Sequence, residues 1–319
     1  MRALRLTPAV SSTLRPRACS CNRFAVLAVL AMAIGGCAVS SEDKSVTAGD
    51  APLHHETPMR ATARTNDLDA ARRGHSHNDY TRSKPLIMAL ENGMGSVEAD
   101  IFLVDGELLV GHDRKDLRKD RTLAAMYLDP LAARARERGG NIYGPDERPL
   151  ILLIDIKADG PMAYEVLHEQ LEVRAQTFTE CVEGRIVPRA VTVIISGACP
   201  RSDIAAQPRR WAFVDGRVQD LLSDAAAAPP TTLVPLVSES WFSHFSWLGL
   251  GEMPADQSER LRELVNLTHA RGYKIRFWGT PASDATWRAQ LDAGVDLINM
   301  DQVARGAAFL RANLPSLGR

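Results

Sequence analysis

The sequence predicts a (β/α)8 barrel, on three observations. Eight short apolar runs alternate with helix-length segments over about 248 residues, from 72 to 319, the size and strand count of such a barrel. Several runs, Leu150-Ile-Leu-Leu-Ile-Asp-Ile among them, are nearly continuous in apolar residues, as strands covered on both faces must be. Polar residues capable of chemistry stand at the C-terminal ends of the runs, where barrel enzymes carry their sites. An open doubly wound sheet is the alternative, but its Gly-rich nucleotide fingerprint is missing after the first strand.

The chain starts before the barrel. Residues 1–36 hold five arginines (Arg2, Arg5, Arg15, Arg17, Arg23) and no acid, followed by an apolar run over 24–34 and then Gly35-Gly36-Cys37. Eleven apolar residues are too few to span a bilayer, and small residues suit a processing site. The expectation is a lipoprotein-type signal peptide over 1–36. Ile34-Gly-Gly-Cys37 resembles the bacterial lipobox, which implies lipidation of Cys37. With Ala38 following, the resemblance implies an outer-membrane protein facing the periplasm. Residues 37–70 are polar and patternless, as a lipidated flexible tether would be, and 71–319 form the barrel domain. Taking the five leader charges from the formal net charge of −1 leaves −6, a poor balance for nucleic acid. The expected partners are a small substrate and a membrane reached through the lipid anchor. No obligate protein partner is evident. Outside the leader, Cys181 and Cys199 are an even pair, as consistent with a disulfide as with two buried thiols.

The strand candidates are 73–77, 96–103, 150–157, 191–196, 211–215, 233–238, 274–279 and 296–301. Between them, 258–270 places Leu261, Leu264 and Val265 on one helical stripe, with Pro254 near its start and Gly272 past its end, as helix termini favour. Residues 286–293 stop at Gly294 in the same way. After the second strand, Asp105-Gly106 followed by Leu108–Val110 reads as a small hairpin.

The chemistry concentrates in 74–113. Side chains at i and i+2 of a strand share a face, so Glu98 and Asp100 converge. Converging carboxylates repel unless a cation lies between them, and hard divalent ions take oxygen ligands. Histidines on either side, in Gly74-His-Ser-His-Asn-Asp-Tyr80 and Gly111-His-Asp113, can move protons near neutral pH. Asp155 and Lys157 end the third strand, Arg276 and Trp278 the seventh, and Asn299 and Asp301 the eighth. An ionised group on a buried strand is costly unless paired or metal-bound. The loop Ser238-Glu-Ser-Trp-Phe-Ser-His-Phe-Ser-Trp follows the sixth strand, and its aromatics serve equally well as a substrate grip or as packing.

In this order the motifs resemble the glycerophosphodiester phosphodiesterase and phosphatidylinositol-specific phospholipase C-like superfamily. That superfamily has a first-strand histidine, Glu-x-Asp on the second strand, His-Asp after a hairpin, and an acidic residue-x-Lys on the third. Gly74-His75, Glu98-Ala-Asp100, Gly111-His-Asp113 and Asp155-Ile-Lys157 fill those places. Within it, His-Ser-His-Asn-Asp-Tyr is most similar to a branch that includes fungal altered inheritance of mitochondria protein 6. Ser76-His77 stands where glycerophosphodiesterases have Arg-Gly. Asp155-x-Lys157 is instead similar to the phospholipase D-type toxins of the superfamily, which hold one Mg2+ by Glu, Asp and Asp.

The resemblance implies one divalent cation, Mg2+ or Ca2+, on Glu98, Asp100 and Asp155. It implies His75 and His112 as the acid–base pair, their order open, and substrate contacts from Lys157, Arg276, Trp278, His77 and Asn78. The expected function is metal-dependent hydrolysis of a phosphoric diester, either a glycerophosphodiester or a phospholipid-derived head group. The rivals are a non-catalytic barrel that binds a phosphorylated or glycan ligand, and a lyase that forms a cyclic phosphate.

Overall fold

Strand parity decides where each side chain goes. Successive side chains of a strand point to opposite faces, so a barrel strand alternates between the lumen and the surrounding helices. The computed structural model describes residues 71–144, 148–222 and 228–317. It contains eight parallel strands in a closed ring. These are Gly74–Ser76, Ser96–Val104, Leu150–Ile156 and Val191–Gly197, then Ala212–Gly216, Leu236–Ser240, Lys274–Trp278 and Leu297–Met300. The ring closes at the first strand, where His75 lies opposite Asn299 of the eighth on one side and Ser96 of the second on the other. The fold is thus the predicted (β/α)8 barrel.

Val97, Ala99 and Ile101 point outward, as do Leu152, Ile154 and Ile156, and all join the apolar layer under the helices. Leu261, Leu264 and Val265 of helix Ala255–Ala270 join the same layer from outside, over the seventh strand. The intervening residues point into the lumen. Ile151, Leu153, Ile194, Phe213, Leu236 and Leu297 form a separate apolar cluster there. The same parity carries upward into polar residues: Asp155 follows Leu153, Ser196 follows Ile194, Asp215 follows Phe213, Ser238 follows Leu236 and Asn299 follows Leu297. The lumen is therefore apolar at its N-terminal end and polar at its C-terminal end.

Two antiparallel additions complete the sheet structure. The predicted hairpin pairs Val104 with Glu107, and its turn residues Asp105 and Gly106 both have positive φ (50° and 83°), the conformation that a two-residue hairpin turn requires. The second addition, Glu180–Val182, Arg185–Val187 and Arg209–Arg210, was not anticipated, because its strands are too short for alternation to show. Its Cys181 reaches the lower lumen cluster. Cys181 and Cys199 are free thiols, and burial pushes the Cys199 thiol up to about 12.

Boundaries differ by a few residues, for local reasons. The sixth strand starts at Leu236 rather than 233 because the N–H groups of Leu233 and Val234 donate to the Pro230 carbonyl in a turn. Helix Asp284–Ala293 begins two residues early, capped by Ser283, whose hydroxyl accepts from Thr286 N–H, and ends at Gly294 as expected. The expected leader over 1–36, Cys37 and the 37–70 tether lie outside the described residues.

Candidate active site

The second and third strands deliver three carboxylates to one point. Asp100 lies opposite Asp155 in the parallel register, and Glu98 opposite Leu153. Glu98, Asp100 and Asp155 each offer an oxygen within 4.8 Å of the others, a spacing and ligand chemistry that can hold a hard divalent ion. The backbone makes room for this. Gly197, on the neighbouring strand at φ +69°, would place a Cβ 2.2 Å from Asp155 Oδ1. A buried oxygen is also left over: Asp100 Oδ1 has no hydrogen-bond partner, and such a group is normally paired. The donor set therefore fits a divalent cation.

The other contacts of these acids are with donors gathered at the same mouth. Asp100 Oδ2 accepts from the Tyr80 hydroxyl at 2.7 Å, from His112 Nδ1 at 2.9 Å and from the Lys157 ammonium at 2.7 Å. Lys157 Nζ is also 3.5 Å from Asp155 Oδ2. Glu98 Oε2 accepts from Arg276 Nη1 at 2.9 Å and from His75 Nε2 at 2.7 Å. Burial pushes the Glu98 carboxyl up, but the Arg276 charge and the His75 bond outweigh it and hold the group well below the usual range. Burial raises Asp155, opposed by Lys157 and assisted by its acidic neighbours. Burial alone would lower Lys157, but its bond to Asp100 leaves it raised.

The three conspicuous histidines occupy different environments. His75 is 0% exposed. Its Nδ1 is 2.8 Å from Ser96 Oγ, its Nε2 bonds Glu98, and the Arg276 guanidinium packs against the same nitrogen. Burial first, and then the Arg276 charge, pull its pKa down to about 3, so it is neutral. His112, past the hairpin, has a side chain 58% exposed and lines a cleft of about 460 Å3 together with Tyr80, Lys115 and Arg121. His77 is partly exposed, and its Nδ1 is 2.7 Å from Asp301 Oδ1.

The other expected residues take varied places. Arg276 reaches the site through Glu98 and also donates to Ser238 Oγ at 3.2 Å. Trp278, two residues on along the same face, is exposed. Asn78, in the left-handed region at φ 47°, lies with its Oδ1 3.0 Å from the Tyr80 hydroxyl. In the loop after the sixth strand, Trp241, Phe245 and Trp247 are buried, Trp241 and Phe245 pack against the Phe277 ring, and Phe242 is exposed. Sequence reasoning passed over Tyr80 and Ser96, and marked Asp301 only as a polar residue at the end of the eighth strand. It also passed over Asp215, which is buried and accepts from Ser196 Oγ at 2.9 Å and from Arg217 Nη1 at 2.7 Å. Parity marked Ser96 and Asp215 as lumen residues. No local pattern marked Tyr80, which leaves the first strand through a short 3-10 turn.

The closed barrel carries carboxylates and histidines at its C-terminal mouth, and residues 65–215 match the AIM6-like phosphodiesterase domain. Altered inheritance of mitochondria protein 6 of Eremothecium gossypii is 30% identical over 77% of this chain and 71% of its own length. The Arthroderma benhamiae homolog is 30% identical over 72% of this chain and 81% of its own. The chain belongs to the family of altered inheritance of mitochondria protein 6. Among solved structures, a glycerophosphodiester phosphodiesterase from Agrobacterium tumefaciens superposes with a TM-score of 0.46 at 15% identity, covering 75% of this chain and 98% of that one.

These relatives are fungal proteins. That finding overturns the expected bacterial envelope location, the lipoprotein reading with lipid on Cys37, and the membrane as a partner through that anchor. A lipobox is read by bacterial machinery, and an arginine-rich, acid-free leader with a short apolar run is shared by several targeting signals. No helix among the described residues is long and apolar enough to cross a membrane.

Proposed function

We propose that the chain is a metal-dependent phosphodiesterase acting on a glycerophosphodiester or phospholipid-derived head group. The observation that carries this reading is the charge balance at the mouth. Three carboxylates face two fixed cations, Arg276 and Lys157, a net charge of −1. One divalent ion, Mg2+ or Ca2+, turns that to +1, which suits a singly charged phosphodiester and the negative charge its oxygens accumulate under attack.

Glu98, Asp100 and Asp155 would hold the ion, which supplies Lewis-acid stabilisation of the non-bridging oxygens. Lys157 and Arg276 add positive charge beside the same phosphate. His112 stands with Nδ1 on Asp100 and Nε2 directed away from it, placed to give a proton to a leaving alkoxide. His75 is sealed beneath and orients Glu98 through Nε2. Trp278 and Asn78 are assigned to substrate contact on the resemblance. The substrate class rests on the resemblance of the four ordered motifs.

The test is turnover of bis-p-nitrophenyl phosphate and of glycerophosphodiesters by the full chain with Mg2+, Ca2+ or chelator. Hydrolysis that requires the ion and disappears in Glu98→Gln supports the proposal. Ion binding without turnover on any diester identifies a binding module instead, and a cyclic product seen by phosphorus NMR identifies a lyase.

A further inference from the structure

The geometry points to His77, oriented by Asp301, as the base that deprotonates the attacking hydroxyl, with His112 as the acid on the leaving group. This assignment rests on the phosphodiesterase reading and replaces His75, the first-strand histidine suggested by the resemblance.

Three observations lead to it. His75 has no exposed atom, and both of its ring nitrogens are engaged, by Ser96 on one side and by Glu98 and Arg276 on the other. A group that takes a proton from a substrate must reach it through hydrogen-bond contact, and His75 has no free nitrogen for this. His77 is the first residue past the strand Gly74–Ser76, in the turn that leads out at its C-terminal end, one step nearer the mouth than His75. Its Nδ1–H donates to Asp301 Oδ1 at 2.7 Å, which places the lone pair on Nε2, where no side-chain partner holds it among the described residues. A base held by a third group is the arrangement that proton abstraction needs.

The second observation separates the two histidines. Asp100 divides its Oδ2 among Tyr80, Lys157 and His112, and its Oδ1 is the oxygen left for a metal ion. Its charge is therefore shared and supports His112 weakly. Asp301 Oδ1 serves His77 alone among the described side chains. An unshared carboxylate can hold a single ring in one orientation, which is what a proton-abstracting base needs. The bond from His77 is also the main cause that holds the Asp301 carboxyl below its ordinary range.

The third observation is a clamp. Arg82 donates from Nη2 to the carbonyls of His77 (3.0 Å) and Met300 (3.3 Å), and His77 N–H donates to Met300 O at 3.3 Å. The ends of the first and eighth strands are thereby tied, and the His77–Asp301 distance does not depend on the side chains alone. Asp301 is a positioning residue; it acts through His77.

The step balances. The hydroxyl oxygen forms a bond to phosphorus as its proton passes to His77 Nε2. The bond from phosphorus to the leaving oxygen breaks, and that oxygen takes the proton carried on His112 Nε2. Exchange with water resets both rings.

Leaving-group chemistry tests the assignment. A p-nitrophenolate departs without protonation, whereas a glycerol or alkyl oxygen needs the acid. For the full chain with Mg2+, His77→Gln should lower kcat on both bis-p-nitrophenyl phosphate and a glycerophosphodiester by roughly 100-fold or more. His112→Gln should lower it to that extent only on the glycerophosphodiester. Asp301→Ala should lower kcat on both substrates with KM and calorimetric Mg2+ affinity unchanged, and Asp301→Glu should restore part of the loss. Nitrogen-15 NMR of neutral His77 should show the proton on Nδ1 in the wild type and a shift towards Nε2 in Asp301→Ala. The assignment is overturned if Asp301→Ala keeps the wild-type kcat, if only KM or Mg2+ affinity changes, or if the leaving-group dependence of the two histidine variants is reversed. If the wild type hydrolyses no diester, the phosphodiesterase reading fails. The NMR tautomer then still decides whether Asp301 orients His77.

Discussion

The Tyr80 hydroxyl donates to Asp100 Oδ2 at 2.7 Å, while the other oxygen of the same carboxylate, Oδ1, is buried without a partner. Tyr80 thus fixes the rotation of Asp100 and decides which oxygen faces Glu98 and Asp155. Burial, and the charge of Asp100 next to it, push the phenol far above its ordinary range, so it remains a donor at any physiological pH. Outer partners of ligand groups are worth roughly 10–100-fold in metal affinity when removed. Tyr80→Phe should weaken Mg2+ binding by at least about tenfold in titration calorimetry while the far-UV spectrum is unchanged.

Lys157 is expected to be a stand-in cation for the carboxylates when no divalent ion is bound. Without it, Asp100 and Asp155 face each other with only Arg276 nearby, through Glu98. Breaking a fully buried pair costs about 3–5 kcal/mol, and because Lys157 is partly exposed roughly 2 kcal/mol is a fairer figure. Lys157→Met should lower the apo protein's unfolding free energy by about that amount. It should also make added Mg2+ raise Tm more than it does in the wild type. Equal Tm shifts in the two proteins would count against this.

His75 gives the stability a definite pH dependence. Its pKa falls from the ordinary 6.5 to about 3 on folding. Between those values the unfolded chain binds the proton and the native chain does not. Stability is therefore fully present above about 6.5 and declines as pH falls towards 3, by at most about 1.4 kcal/mol per pH unit for one group. Urea denaturation at pH 7 and pH 5 should show this decline, and it should be reduced in His75→Gln. Identical slopes for the two proteins would sink the idea.

Trp241 supports the mouth from outside the barrel. It is fully buried, its ring centroid lies 4.3 Å from that of Phe245 and 5.9 Å from that of Phe277, and its Nε1–H donates to Trp247 O at 3.1 Å. Trp241→Ala should cost about 3–5 kcal/mol in denaturant unfolding, whereas Phe242→Ala, at an exposed position, should stay within about 0.5 kcal/mol.

How much of this was legible in the sequence follows from parity and range. The eight strands could be read because Leu150–Ile156 and its counterparts are apolar on both faces. The convergence of Glu98, Asp100 and Asp155 could be read because i and i+2 share a face and parallel strands align their ends. Contacts between distant segments leave no local trace, which is why Asp301 looked like an ordinary strand-end acid and Tyr80 like part of a turn. The burial of His75 was hidden for a related reason: it depends on Arg276, about 200 positions later, folding over it. The leader misled because charge and hydropathy do not name a compartment.

Ring closure at the first strand has a consequence for synthesis. His77 and Asp301 are 224 residues apart in sequence, so the chain's earliest and latest barrel segments meet at the same place. A ribosome that has made the first 215 residues has already produced both histidines and all three carboxylates, but neither Arg276 nor Asp301. Until the eighth strand docks, Glu98, Asp100 and Asp155 are present but His77 lacks its contact with Asp301. On the assignment proposed above, a chain released before the eighth strand docks carries the three acids and His77 without the carboxylate that orients it.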